Sequence, residues 1–333
     1  GPWPASLKGC KRELASMKDQ SQLPANIGKF RDPALTAKGE PRATVALTSP
    51  HTLWFNTGTL CNITCANCYI ESSPTNDALV YLTEAEVIRY LDEAESRQWG
   101  LREIAFTGGE PFMNPDIIAI LNAALARGYS ALVLTNAMLP MMRKRVQTGL
   151  LDLQARYGDR LTLRVSLDHH SAALHDAERG KGSFARSLKG MEWLGEQRIK
   201  TTVAGRTTWG ESESDARHGY AQLYLKHNFN IDAQRSDETV LFPEMDLSAE
   251  VPEITTACWD ILHKSPNDVM CASSRMVVKR KGASAPSVVA CTLLPYDLQF
   301  DLGETLAEAE RPVALNHPHC AKFCVLGGAS CSA

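Results

Sequence analysis

The sequence predicts an α/β protein: a parallel β-sheet covered by helices, followed by a small cysteine-rich domain containing a β-hairpin. Three observations carry this. Short apolar runs alternate with amphipathic stretches five or six times between about residues 50 and 240, and strand–helix units in series give parallel sheets with the helices outside. Beyond about residue 245 the texture changes, with Pro252, Pro266, Pro286 and Pro295 interrupting any long element. Six of the ten cysteines fall in that last stretch, and none lies between Cys68 and Cys258.

Residues 1–48 are polar and broken by Pro4, Pro24, Pro33 and Pro41, which predicts an extended arm with one short helix over 10–17. Gly1-Pro2 reads as a cloning remnant. The first strand is expected at 52–56. Thr83 and Glu86 have capping-box spacing, and Val87, Ile88, Leu91 and Ala94 line one face of the helix behind them. A strand over 104–106 runs into Gly108-Gly109. Asn114-Pro115 has the cap-then-proline order of a helix start. Ile117, Ile118, Leu121 and Leu125 form that helix's stripe, and Gly128 stops it. Further strands are expected at 131–134, 161–167, 200–203 and 231–234, with helices over 183–196 and 214–227. Runs 276–279 and 287–290 flank Lys281-Gly282-Ala283 as a hairpin. The expected divisions are 1–48 (N-terminal extension), 49–242 (sheet and helices) and 243–333 (cysteine-rich domain). Periodicity alone allows a barrel or a doubly wound sheet, and in both the chemistry sits at the carboxyl ends of the strands.

With 333 residues, 44% hydrophobic and 22% charged, the composition is that of a soluble globular protein. No stretch approaches the ~20 apolar residues of a membrane helix. A net charge of −3 gives no footprint for nucleic acid or an anionic membrane. No apolar targeting segment precedes the fold, so a cytoplasmic, reducing setting is expected, in which clustered cysteines point to metal rather than disulfides. A segment of about 90 residues like 243–333 is marginal without staples, and bound metal would help to hold it.

Cys61, Cys65 and Cys68 form a C-x3-C-x2-C triad directly after the first strand. Zinc sites usually total four ligands, and a [4Fe–4S] cube normally takes four thiolates. Three on one loop leave one iron open. This spacing resembles the radical S-adenosylmethionine (SAM) superfamily. The resemblance extends to Gly108-Gly109-Glu110-Pro111 after the second strand, Thr135-Asn136 after the third and Ser166-Leu167-Asp168 after the fourth. Arg179-Gly180-Lys181-Gly182-Ser183-Phe184 follows shortly after. Together they cover about residues 50–240.

What the resemblance implies is a partial (β/α)6 TIM-type barrel that binds SAM on the open iron of a [4Fe–4S] cluster. The cluster, reduced by a flavodoxin- or ferredoxin-type partner, would cleave SAM to a 5′-deoxyadenosyl radical, which takes hydrogen from a substrate carbon. Cys61, Cys65 and Cys68 would be the ligands. Gly108 and Gly109 would allow close backbone approach to the cofactor, and Glu110 would accept from its ammonium. Asn136, Ser166 and Asp168 would bond its polar groups, and Arg179 its carboxylate. Many relatives carry an aromatic residue just before the third cysteine, against the adenine; here that position is Asn67, and Tyr69 follows. Asp168 and Arg206 are the candidates for catalytic roles.

The back cysteines run Cys258, Cys271, Cys291, Cys320, Cys324 and Cys331, with Gly282 in the hairpin turn between the second and third. This layout resembles the auxiliary-cluster domains called SPASM and twitch, and implies one [4Fe–4S] cluster on Cys271, Cys291, Cys320 and Cys324. Cys258 and Cys331 stand in reserve, and zinc is the competing metal. The expected function is thus radical SAM oxidation or rearrangement of a small-molecule or peptide substrate, helped by an auxiliary cluster. One alternative is a peptide maturase, for which a separate leader-binding partner is expected because only about 48 irregular residues precede the first strand. Another is a non-enzymatic iron–sulfur sensor or electron carrier, which would have no use for Gly108-Gly109-Glu110. His169, His170, His175 and Asp176 could act as acids or bases, Glu211 and Glu213 could bind a polar substrate, and His317 and His319 could shield the second cluster. The competing readings are loop and helix-cap packing for the first four, solvated charge for Glu211 and Glu213, and surface histidine for the last two.

Overall fold

The computed structural model describes residues 26, 28–243 and 249–328; the expected helix over 10–17 and Cys331 lie outside them. In chain order the strands are β1 (Thr44–Val45), β2 (Thr52–Asn56), β3 (Glu103–Thr107), β4 (Ser130–Thr135) and β5 (Leu161–Ser166). They continue with β6 (Lys200–Arg206), β7 (Thr239–Phe242), β8 (Ser274–Val278), β9 (Ser287–Val289) and β10 (Val313–Ala314). The helices are α1 (Glu84–Ser96), α2 (Ile117–Ala126), α3 (Leu139–Met142), α4 (Lys144–Tyr157), α5 (Ala172–Arg179), α6 (Ser183–Glu196), α7 (Glu213–His227) and α8 (Cys258–Leu262). The described residues form two compact units: a larger one of 50–243 with 275–309, and a smaller one of 26, 28–49, 249–274 and 310–328.

The larger unit is built on one sheet in the order β7-β6-β5-β4-β3-β2-β8-β9. Strands β2 to β7 are all parallel, each beside its sequence neighbour. This is the partial (β/α)6 barrel. All five residues of β2 are buried, as expected of a parallel strand covered on both faces. Phe55 stacks on Phe106 of β3 with ring centroids 5.8 Å apart. The register aligns Asn56 with Thr107, Thr135 with Val165, Ser166 with Ala204, and Arg206 with Phe242. The carboxyl ends of six strands, and the loops that leave them, therefore share one edge.

The local signals act largely as the sequence suggests. Thr83 Oγ1 accepts from Glu86 N and Glu86 Oε2 accepts from Thr83 N, so the box that starts α1 is complete. Helix α2 starts at Ile117 rather than at Asn114-Pro115. Asn114 is instead buried, and its amide donates to Thr57 O at 3.1 Å and Leu82 O at 2.8 Å. Residues 231–234 are not a strand: Asp232 Oδ1 accepts from Gln234 N at 2.8 Å, a local bond that turns the chain. The sixth strand comes later, at β7. The hairpin β8–β9 is antiparallel, with Gly282 at φ +81° in its turn, and it extends the barrel sheet beyond β2.

The smaller unit has little sheet, only the antiparallel pair β1–β10 among its described residues. Its centre is polar. Arg42 and Glu253 form a buried ion pair at 2.6 Å, and Glu253 also accepts from Phe30 N at 2.7 Å and Ala37 N at 2.6 Å. Short turns fill the rest, including a π-helical segment over Cys320–Leu326 where the sequence suggested little regular structure.

Candidate functional site

Strand β2 hands the chain to a loop that reaches Cys61, and the segment after β3 holds that loop in place. Gly109 N donates to Gly58 O at 2.8 Å and Glu110 N to Leu60 O at 3.1 Å. A Cβ on Gly109 would stand 2.2 Å from Leu60 O, and one on Gly108 would stand 2.5 Å from Gly58 O. Gly108 also has φ +149°, which a side chain disfavours. The close approach these glycines permit is thus to the backbone leading into the cysteine loop.

Cys61 is buried, while Cys65 and Cys68 are half-buried, and all three are free thiols. Burial pushes the Cys61 thiol up to about 12. It also raises that of Cys65, although Arg179 draws the latter down. Thiolates are therefore costly here unless a cation meets them. Hydrogen bonds to sulfur are ready: Ser72 N reaches Cys68 Sγ at 3.4 Å, and Asn136 Nδ2 reaches Cys61 Sγ at 3.9 Å. Three soft donors on one short loop, two of them met by N–H groups, fit an iron–sulfur cluster.

Glu110 is buried, and its carboxyl accepts from Thr135 Oγ1 at 2.9 Å, Asn136 N at 2.9 Å and Phe112 N at 3.2 Å. Burial outweighs these donors and raises its pKa to about 7. Asn136, one residue past β4, also donates to Asn62 Oδ1 at 2.9 Å. One buried polar residue thus joins Glu110 to the cysteine loop.

On the other side, Asp168 is gripped in bidentate fashion by Arg179, with Nε at 2.7 Å and Nη2 at 2.9 Å. Arg206, the last residue of β6, adds a contact at 3.7 Å. Burial alone would raise the Asp168 carboxyl, but Arg179 and then Arg206 hold it below its ordinary value. The two residues expected to bond different parts of a cofactor therefore bond each other. Ser166 is half-buried at the end of β5, and Tyr69 is 36% exposed just past the last cysteine. His175 Nδ1 accepts from Asp168 N at 3.2 Å, and burial with the Arg179 charge lowers its pKa to about 4.

His169, His170 and Glu211 bring ligand-type atoms within 4.8 Å of one another. The hydrogen bonds disfavour a metal there. Ser171 N donates to His169 Nδ1 at 2.9 Å, so the ring proton sits on Nε2, which faces Glu211 Oε1 at 2.7 Å. A metal-ligating histidine normally donates from its other nitrogen, and here that nitrogen accepts.

Sequence reading missed Glu178 and Asn62. Both are ordinary polar residues beside motif positions, and no spacing rule marks them. Of the back cysteines, Cys258, Cys271 and Cys320 are buried and Cys324 half-buried in the smaller unit. Cys291 is half-buried and belongs to the larger unit.

Residues 55–218 match the family model described as the radical SAM superfamily. The chain is 34% identical over 145 residues to the antilisterial bacteriocin subtilosin biosynthesis protein AlbA of Bacillus subtilis, covering 43% of this chain and 30% of AlbA. It is 31% identical over 148 residues to an AdoMet-dependent heme synthase of Oleidesulfovibrio alaskensis, covering 43% of this chain and 36% of the synthase. The matches thus span well under half of either relative. In structure it resembles Streptococcus suis SuiB bound to S-adenosylmethionine, with a TM-score of 0.55 and 14% identity over 77% of this chain and 63% of SuiB. SuiB bound to its precursor peptide SuiA gives a TM-score of 0.52 at 13% identity, over 78% of this chain and 63% of SuiB. With the triad, the glycine segment and the strand-end polar groups on one edge of a six-stranded parallel sheet, residues 55–218 form a domain of the radical SAM superfamily.

Proposed function

We propose that this chain binds a [4Fe–4S] cluster on Cys61, Cys65 and Cys68, uses it with S-adenosylmethionine, and oxidises or rearranges a substrate after hydrogen abstraction. The observation that carries this reading is that three free thiols, Glu110 and the Asp168–Arg179 pair all lie on segments leaving one edge of the parallel sheet. When bound and reduced, the cluster supplies the electron that splits the sulfonium and makes a hydrogen-abstracting adenosyl radical.

The chain's own groups do the placing. Glu110 is fixed by three donors and keeps lone pairs for an ammonium group. Asp168 fixes the plane of the Arg179 guanidinium through Nε and Nη2, so a carboxylate would meet it through Nη1. Burial of the Cys61 side of the loop keeps water from that face.

An auxiliary cluster on the back cysteines is part of the proposal. Four of them, Cys258, Cys271, Cys320 and Cys324, belong to a unit whose described elements are short. Of the two expected substrate classes, peptide is favoured by the precursor-peptide complex of the structurally similar SuiB. A flavodoxin- or ferredoxin-type protein is the proposed electron donor, and neither nucleic acid nor membrane is a proposed partner. No described helix is long and apolar enough to cross a membrane.

The test is anaerobic iron–sulfur reconstitution, then incubation with S-adenosylmethionine and dithionite. The expected product is 5′-deoxyadenosine, and deuterium carried into it from labelled candidate peptides would mark the abstraction site. A reconstituted, reduced chain that makes none would overturn the reading.

A further inference from the structure

Only two residues, Ala66 and Asn67, separate the second and third cysteines of the triad. Both are held by one residue from a distant part of the sequence. Glu178, in the last turn of α5, accepts from Ala66 N through its backbone oxygen at 2.8 Å. Its carboxylate accepts from Asn67 N with Oε2 at 3.2 Å and from Asn67 Nδ2 with Oε1 at 2.6 Å. Arg206 completes the set: Nη2 donates to Asn67 O at 2.9 Å, and Nη1 lies 3.7 Å from Glu178 Oε1. The backbone N–H, backbone C=O and side-chain amide of Asn67 are therefore all engaged, and Glu178 is itself buried.

We infer that Glu178 is a positioning residue for the cluster: with Arg206 it clamps Asn67 and so fixes where the Cys65 and Cys68 thiolates point. The chemistry of the clamp explains why it holds. A carboxylate offers acceptors only, and the two groups it meets on Asn67 are both donors. The carboxylate is buried although Asn67 is exposed, so water reaches these bonds only from the Asn67 side. The Arg206 cation balances its charge and reaches back to the same residue, closing a ring of contacts around the peptide next to Cys68. Glu178 also immediately precedes Arg179, whose guanidinium is locked on Asp168. One helix end thus sets both the spacing of the thiolates and the position of the cation beside them. Partners beyond the ligands themselves typically matter to a metal site at the level of about 10–100-fold in affinity.

This inference rests on the triad holding the cluster, and the experiment separates the two. Wild type, Glu178→Gln, Asn67→Asp and the double variant are reconstituted alike. Iron release to a chelator is followed from the front site, after subtracting the signal of a Cys61→Ala/Cys65→Ala/Cys68→Ala background. The electron paramagnetic resonance change on adding S-adenosylmethionine is recorded for each. Glu178→Gln keeps the pairing, because the Asn67 amide can turn over and offer its oxygen to the new NH2, whereas Asn67→Asp sets carboxylate against carboxylate. In the double variant the introduced amide oxygen accepts from the backbone N–H at position 67, while its NH2 donates to the carboxylate introduced there. Both contacts return, with one polarity reversed. Asn67→Asp should release front-site iron about tenfold faster than wild type, with an altered resonance, while Glu178→Gln should stay within about twofold of wild type. The double variant should return to within about twofold, because the pair is coupled rather than additive. An Asn67→Asp variant that releases iron at the wild-type rate would overturn the clamp even if it melts at lower temperature. So would a double variant as leaky as Asn67→Asp alone. A wild-type triad that takes up no iron would overturn both the clamp and the functional reading.

Discussion

The two cysteine groups are built in opposite ways. The front three lie within residues 61–68 of one loop, and residues from three strand ends and one helix end support that loop. These are Gly109 after β3, Asn136 after β4, Arg206 ending β6 and Glu178 in α5. The back group is carried by separate short elements. Cys258 opens α8, Cys271 lies in a single 3-10 turn, Cys320 and Cys324 share a π-helical segment, and Cys291 follows β9. A parallel sheet aligns its strand ends whether or not a metal is present, so the front cysteines are organised by the fold. The back cysteines sit on turns, where the proposed metal would have to hold them, and there binding and folding would be one event.

The sharpest way to break that comparison is to remove ligands from each side. Cys61→Ala, Cys65→Ala and Cys68→Ala should each abolish 5′-deoxyadenosine formation. Cys271→Ala or Cys291→Ala should leave some 5′-deoxyadenosine, uncoupled from turnover, while substrate product is lost. A fully reconstituted sample should hold about eight irons, and a variant lacking all three front cysteines about four. Cofactor cleavage retained in a front variant, wild-type turnover in a back variant, or no iron in the triple variant would each contradict the division of labour.

The same contrast explains what could be read in advance. The parallel strand–helix series was legible because apolar runs and their turn residues repeat locally, although its closure toward a barrel came only from the family resemblance: the capping box at Thr83 and the strand ends at Asn56, Thr107, Thr135 and Ser166 need only neighbouring residues to be recognised. The triad was legible for the same reason. Glu178 was not, because its partner Asn67 is 111 residues away and a lone glutamate carries no period. Asp168 and Arg179 were both singled out, yet not as partners for each other, since pairing across α5 is a fact of packing. Residues 231–234 misled because an apolar pair beside Asp232 resembles a strand until the local hydrogen bond of that aspartate is considered.

The next largest effect tests how far the front site is held by charge rather than by metal. Asp168 is buried, and both Arg179 and Arg206 face it. Asp168→Asn leaves those cations without their carboxylate, and breaking a buried pair in this way costs about 3–5 kcal/mol. Urea unfolding of the iron-free chain should show that loss in the main transition. A loss under about 1 kcal/mol would mean that the pair behaves as a surface ion pair and does not organise the site.

Glu110 gives a pH-dependent version of the same test. Its pKa rises from 4.5 to about 7. Between those values the unfolded chain has released the proton and the folded chain still holds it, so stability falls as pH rises through this window. At 1.36 kcal/mol per unit the full effect is about 3 kcal/mol. Glu110→Gln has no such slope. Its amide oxygen can still accept from Thr135 and Phe112, while its NH2 faces the Asn136 N–H much as the O–H of the protonated carboxyl does. The gap between the two should therefore shift by about 3 kcal/mol against the wild type from roughly pH 4.5 to 7.5, measured by urea titration of the iron-free chains. A gap that stays constant across that range would show that Glu110 titrates normally and that its burial is matched by its three donors.

The smallest effect compares one device in the two units. Thr83 and Glu86 form a capping box at the start of the 13-residue α1 in the larger unit. Ser265 and Asp268 form one around the 3-residue turn Pro266–Asp268 in the smaller unit. Each leaves backbone N–H groups unsatisfied if the hydroxyl is removed. In α1 the cap supports a helix whose Val87, Tyr90, Leu91 and Ala94 are buried, and Glu86 is further tied to Lys279. Its loss is felt by the whole cooperative unit, so Thr83→Ala should cost about 1 kcal/mol. The Ser265 turn has no buried residue of its own. Ser265→Ala in the iron-free chain should therefore cost at most a few tenths of a kcal/mol, since freed N–H groups on an exposed turn bond to water instead. The measurement is the shift in urea midpoint for each variant at fixed pH. Equal costs would mean that the smaller unit is as cooperative without metal as the barrel is, and would remove the distinction between a fold that organises its ligands and ligands that organise their fold.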